Sequence, residues 1–235
     1  MTDFAETIGR KPARRSLGSR LIGLALGGAV LAPATAPIAY MLWPQPKPVS
    51  ADAPSLPITI GGVPFNVPPA AIRVPMQRRP GAQSRIDLVF LWPSLTPPDP
   101  ALKPTPAAPP NIGERLFVTI AGSDGTLPPL QRLKVIYPRY TEGVPVGGPD
   151  GLEVRHFRAS TPYQGEELIH DPSAPERFLL RCTRNIAATP GMCLHERRLG
   201  TADITVRFPR DWLADWRAVA SGIDRLIASM RPASG

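Results

Sequence analysis

Ile204 to Met230 reads ITVRFPRDWLADWRAVASGIDRLIASM, and the change of period halfway along it sets the fold class. Ile204, Val206 and Phe208 alternate with Asp203, Thr205 and Arg207, the pattern of a strand with one dry face. After Pro209 the apolar residues recur at Trp212, Trp216, Val219, Ile223, Leu226 and Met230, which is the stripe of an amphipathic helix. Asp211 near its start and Arg231 at its end suit the helix dipole. A one-sided strand followed by a one-sided helix predicts that the two cover each other.

Upstream, strands come in series. Ile58-Thr59-Ile60-Gly61-Gly62-Val63-Pro64-Phe65-Asn66-Val67 places a Gly-Gly pair between two apolar runs, a tight hairpin whose turn needs positive φ. Pro64 cannot donate to a ladder, so the second strand should lie at an edge. Arg85 to Trp92 and Arg115 to Ile120 are dense in β-branched and aromatic residues and read as buried strands. Leu133 to Tyr137, Leu152 to Arg158, Phe178 to Cys182 and Met192 to Arg197, each bounded by turn residues, complete the strand set. The expectation is an α+β domain, a mainly antiparallel sheet covered by the C-terminal helix.

The N-terminal part has a different character. Leu21 to Trp43 runs without a charge, long enough as a helix to cross a bilayer core. Arg10, Lys11, Arg14, Arg15 and Arg20 precede it against Asp3 and Glu6, and only Lys47 follows closely. By the positive-inside rule residues 1–20 form a cytoplasmic stub, 21–43 a transmembrane helix, and the remainder is exported. The alternative is a cleaved signal peptide with a small-residue site at Ala34-Thr35-Ala36. Pro37 in the first mature position and the apolar run through Trp43 favour the uncleaved anchor. Arg14-Arg15-Ser16-Leu17 also has the look of a twin-arginine export signal, with flanks that fit it poorly. Residues 44–57 hold five prolines and read as an extended tether, leaving 58–235 as one periplasmic domain. Within it, 93–110 is a Pro-rich loop joining two core strands.

The chain has 235 residues and a formal charge of +8. Its exported part keeps 21 basic against 17 acidic residues, so much of the basicity is a topology signal and nucleic acid is not an expected partner. The two cysteines, Cys182 and Cys193, have hairpin spacing and read as one disulfide in an oxidising compartment. The competing use is a metal site with His195 and either His170 or His156, for which the spacing lacks the usual close cysteine pairs. No metal or other cofactor is expected. Pairing 182 with 193 sets Leu180 opposite His195 and Phe178 opposite Arg197, which predicts a bulge or shifted register.

Other candidate chemistry stays thin. Ala121-Gly122-Ser123-Asp124-Gly125 has the look of a nucleophile elbow, but Thr126-Leu127-Pro128-Pro129 cannot readily begin the helix that motif needs. Glu166-Glu167 sits in a Gly-flanked stretch without an evident partner, and Gly147 to Gly151 reads as a turn rather than a phosphate loop. Arg73, Arg78, Arg79 and Arg85 lie within 13 residues, a candidate contact for an anionic partner surface.

The order of basic stub, single span, short Pro-rich tether and disulfide-bearing α+β domain resembles small inner-membrane-anchored periplasmic proteins of Gram-negative bacteria. The likeness is one of architecture and covers the whole chain loosely. Energy-transducing proteins share the anchor and a Pro-rich start, but theirs is much longer than Pro44 to Pro57. The expectation is a single-pass inner-membrane protein with a cytoplasmic N-terminus and a periplasmic C-terminal domain. Its expected role is that of a non-catalytic binding, assembly or accessory protein, of immunity type in one form, with a protein partner in the envelope. The alternatives are a hydrolase of a periplasmic polymer and a structural tether of an envelope complex.

Overall fold

Gly61 and Gly62 close the expected hairpin, both with positive φ (55° and 83°), and pair Ile60 with Val63 through to Leu56 with Val67. The computed structural model describes residues 48–102, 111–185 and 189–232. The stub, the span, the start of the tether and part of the Pro-rich loop lie outside them. Among the described residues no helix is long and apolar enough to cross a membrane.

Eleven strands and two α-helices are defined among the described residues. The hairpin strands β1 (Leu56–Ile60) and β2 (Val63–Val67) join β3 (Gly81–Gln83) in a small sheet of order β2-β1-β3. β2 is its edge, as Pro64 requires. The chain ahead of β1 is tied down where Val49 donates to the Arg78 carbonyl at 2.6 Å.

The large sheet has eight strands: β4 (Arg85–Leu91), β5 (Arg115–Gly122), β6 (Thr141–Gly147), β7 (Glu153–Phe157), β8 (Glu166–His170), β9 (Leu179–Thr183), β10 (Met192–Leu199) and β11 (Ala202–Pro209). They run antiparallel throughout in the order β4-β5-β11-β10-β9-β8-β7-β6. Side-chain alternation sorts them onto two faces. The inner face carries Ile86, Leu88, Leu116, Val118, Ile204 and Val206, all buried in one core that also takes in Ile58 and Phe65 of the hairpin. Helix α2 (Trp216–Ser229) lays Trp216, Val219, Ile223, Leu226 and Ile227 into the same core. Helix α1 (Pro129–Val135) lies over the outer face, where Leu133, Ile136 and Tyr137 pack with Phe157, Leu168 and Leu179.

Three expectations change. Leu133 to Tyr137 is not a strand: Pro129 stands at the first position of α1, and Leu130, Leu133 and Tyr137 follow a helical rather than a twofold spacing. The C-terminal helix begins at Trp216, because Arg210–Asp215 forms a 3-10 segment. Within it Trp212 stacks on Phe208 and Trp92, with ring centroids 5.8 and 5.0 Å apart. Strands β3, β6 and β8 appear where local composition gave none. Exposed β6, with Pro145 and a register shift between Glu142 and Val146, is an edge strand of the kind that resists further pairing.

Close approach fixes two glycines. A Cβ on Gly61 would stand 2.5 Å from the Thr201 carbonyl oxygen, so the hairpin tip seats directly on the β10–β11 turn, where the Thr201 hydroxyl donates to the Gly61 carbonyl. A Cβ on Gly222 would stand 2.6 Å from the Trp92 ring, so α2 meets the end of β4 with no side chain between.

Trp216 is 6% exposed, stacks 5.1 Å from Phe178 and donates its indole N–H to the Asp150 carbonyl at 3.2 Å. Trp216→Ala should therefore cost about 3–5 kcal/mol, the range for emptying a large buried aromatic site. Thermal or urea unfolding of the purified folded unit checks this. A melting point within a degree or two of the parent would mean the helix stripe is not core.

Candidate functional site

The disulfide joins Cys182 of β9 to Cys193 of β10, two residues directly opposite in the ladder, and the register continues without a shift through Leu194–Arg181 to His195–Leu180. No bulge is needed, because the misfit side chains find partners. His195 is 1% exposed, its Nδ1 lies 3.1 Å from the Leu179 carbonyl, and its ring stacks on Phe178. Arg197 reaches Asp224 of α2 at 2.7 Å, and Arg177 reaches the same carboxylate at 3.1 Å. Asp224 is held below the usual carboxylate range: burial pushes it up, but its bonds with Arg197 and Arg177 outweigh that. With both sulfurs in the disulfide, the alternative metal set of Cys182, Cys193 and His195 has no thiolates to offer.

One row further along the inner face, Glu167 of β8 stands opposite Cys182. It is 5% exposed. Its carboxylate is ringed by His156 at 3.2 Å, Arg184 at 3.6 Å and Arg210. Glu167 thus has three cationic or ionisable partners, two of them invisible to local sequence because they come from beyond β9 and β11. A buried carboxylate left without them would be strongly destabilising.

On the outer face charges alternate along Glu166, Arg181, Glu196 and Arg132. Arg181 lies 2.7 Å from Glu166 and 3.8 Å from Glu196, and Arg132 of α1 lies 3.0 Å from Glu196. Arg181 also sits over the Tyr163 ring, 5.2 Å from its centroid. This network ties α1 to the sheet, and burial beneath it pushes the Tyr137 hydroxyl up to about 12. A cavity of about 430 Å³ opens beside it, walled by Pro128, Leu130, Pro175 and Leu179 and floored by Glu196 and Arg197. Arg177, Arg197 and Asp224 around it are paired with one another, whereas Glu176 on its rim forms no ion pair with a described residue.

The remaining sequence candidates are dispersed. His156 and His170 point to opposite faces, His156 to Glu167 and His170 towards Glu153 at 3.9 Å; burial lowers the pKa of His170. Ser123 follows β5, four strand spacings from β8 and five from β7, so roughly 19 Å separates it from the Glu166, Glu167 and His170 strand and about 24 Å from the His156 strand. Among the described residues no three or more His, Cys, Asp or Glu side chains converge on a metal position.

The four arginines part company as well. Arg78 donates to the Ile72 carbonyl at 3.0 Å, and Arg85 grips Asp87 with a shortest contact of 2.7 Å. The bond with Arg85 helps hold the Asp87 carboxyl down at about 2. Arg79 is exposed, and Arg73 lies over the Phe117 ring.

The class defined by this geometry is an α+β unit, with one helix and a small hairpin sheet against the inner face of a meandering eight-stranded sheet. An immunity protein of the Stenotrophomonas maltophilia type IV secretion system shares the fold: TM-score 0.53, 14% identity, 76% of this chain and 94% of that one covered. The iron-regulated outer membrane lipoprotein FrpD of Neisseria meningitidis aligns with a TM-score of 0.38 at 8% identity over 78% of this chain and 96% of its own. No protein-family model matches the chain, and no curated protein matches its sequence.

Burial pushes the pKa of His195 down to about 4, whereas an unfolded histidine titrates near ~6.5. Between these values the unfolded chain binds a proton that the fold refuses. Stability is therefore full above pH ~6.5, falls as pH drops towards 4 and then levels as far as this group is concerned, a loss of about 3 kcal/mol. Urea unfolding at pH 7 and 4.5 should show most of that loss, and His195→Gln should flatten it. An equal pH slope in the two proteins would assign the effect elsewhere.

Proposed function

We propose that the chain is a single-pass inner-membrane protein of Gram-negative bacteria, with residues 1–20 cytoplasmic, 21–43 spanning, a Pro-rich tether from 44 that joins the fold ahead of β1, and the folded unit periplasmic. In this reading the folded unit is an immunity-type protein that binds and restrains a partner protein. The observation that carries it is the fold shared with the type IV secretion immunity protein over 94% of that chain. The positive flank ahead of an uncharged run at 21–43 supports the anchor. Arginine and half-buried apolar side chains side by side on the outer face supply the kind of surface that proteins use to bind each other.

The test uses the tagged full-length chain, captured from solubilised membranes. The expected result is one stoichiometric protein whose own activity is abolished when the purified chain is added. Reporter fusions after Lys47 should be active only for a periplasmic reporter. A captured protein whose activity the chain leaves untouched would contradict the immunity reading, and an active cytoplasmic reporter would contradict the topology.

A further inference from the structure

Ten of the nineteen arginines among the described residues are occupied by carboxylates, as Arg198 is by Asp203 at 2.6 Å and Arg197 is by Asp224. Arg73, Arg115 and Arg207 are among those that form no ion pair with a described residue, and they lie close together. The fold brings all three to one stretch of the outer face beside Phe117. Arg115 and Phe117 stand two apart on β5 and so share the outer face. Arg207 of β11 is the direct cross-strand partner of Phe117, where side chains on one face meet. Arg73 is fixed along the edge of β4 by its N–H to the Asp87 carbonyl at 2.9 Å, and it places its guanidinium 4.8 Å from the centre of the Phe117 ring.

The nearest acid in the adjoining row, Asp87, is spent on Arg85, Gln77 and Thr119. Three like charges at neighbouring positions of one face repel one another, and no ion pair with a described residue supplies their counter-charge. Apolar surface adjoins them: Val74 is 40% and Met76 59% exposed. Helix α1 covers Leu168 and Leu179 at the other end of the outer face, so among the described residues this end has no covering helix. Arg, Met and an aromatic ring together are the composition of an interface centre, and its unpaired charge selects a partner of the opposite sign.

We propose that Arg73, Arg115, Phe117 and Arg207, rimmed by Val74 and Met76, form the docking surface for an acidic protein that sets a carboxylate between Arg73 and Arg207. This rests on the partner-binding reading above and adds where the partner sits and what chemistry it presents.

The experiment places the photo-crosslinking residue p-benzoylphenylalanine at position 117, at position 207 and, as a distant comparison, at Val144 on β6, in the full chain in its own membrane. The expected result is one adduct with an acidic protein from positions 117 and 207 and none from 144. Introducing Arg73→Glu should reduce the adduct from position 117 at least tenfold, with an unchanged melting point showing that the fold survives. A protein adduct from 144 alone would overturn the patch and leave partner binding standing, and no adduct at any position would overturn both. Persistence of the adduct after Arg73→Glu would overturn the charge argument. An adduct with phospholipid, or with the chain's own N-terminal segment, would overturn the assignment to an acidic protein.

Discussion

The inner face of the eight-stranded sheet has to be kept from water, and it is too wide for one helix. Eight strands spaced about 4.8 Å apart span roughly 34 Å, whereas a helix with its side chains is about 10 Å across. Helix α2 meets β10 through Asp224 and Arg197, Phe178 through Trp216, and the end of β4 through Gly222 and Trp92. The rest falls to the hairpin, whose Ile58, Ile60, Phe65 and Val67 enter the same core. Two contacts hold the hairpin in place: Gly61 seats on the β10–β11 turn of the sheet, and Asn66 donates to the Met230 carbonyl at 2.7 Å at the end of α2.

That division of labour explains where the polar residues sit. On the inner face they come with partners: His195 bonded through Nδ1 to a backbone carbonyl, its Nε2 left without one, Arg197 bound to the helix, and Glu167 enclosed by His156, Arg184 and Arg210. Each is a requirement of burying charge or hydrogen-bonding groups in a low dielectric. The outer face carries no such demand across its full width. One end is closed by α1 and its network with Glu196 and Arg181, and the other keeps Arg73, Arg115 and Arg207 without an ion pair to any described residue, the surface on which the proposed partner would dock.

What the sequence made legible was what has a period. The twofold alternation of Ile204, Val206 and Phe208, the helical stripe from Trp216 to Met230, and the Gly61-Gly62 turn all carry their partners' geometry in local spacing. The disulfide followed from hairpin separation. Failures arose where a distant group decides. β8 holds two adjacent glutamates because Arg181 answers Glu166 on one face while Arg184 and Arg210, just past β9 and β11, answer Glu167 on the other. β6, rich in Gly and Pro, is a strand only because β7 offers an edge. The run of arginines at 73–85 is divided by what each one meets: Arg78 turns to the Ile72 carbonyl and Arg85 to Asp87, whereas Arg73 lies over Phe117, the cross-strand partner of Arg207.

The central claim, that helix and hairpin jointly seal one sheet face, is tested most directly by native-state hydrogen exchange on the folded unit. If the claim holds, the hydrogen-bonded amides of β1 and β2 open with the same free energy as those of β5, β11 and α2, because none survives the loss of another. Hairpin amides that open at a markedly lower free energy while β5 and β11 stay protected would contradict it.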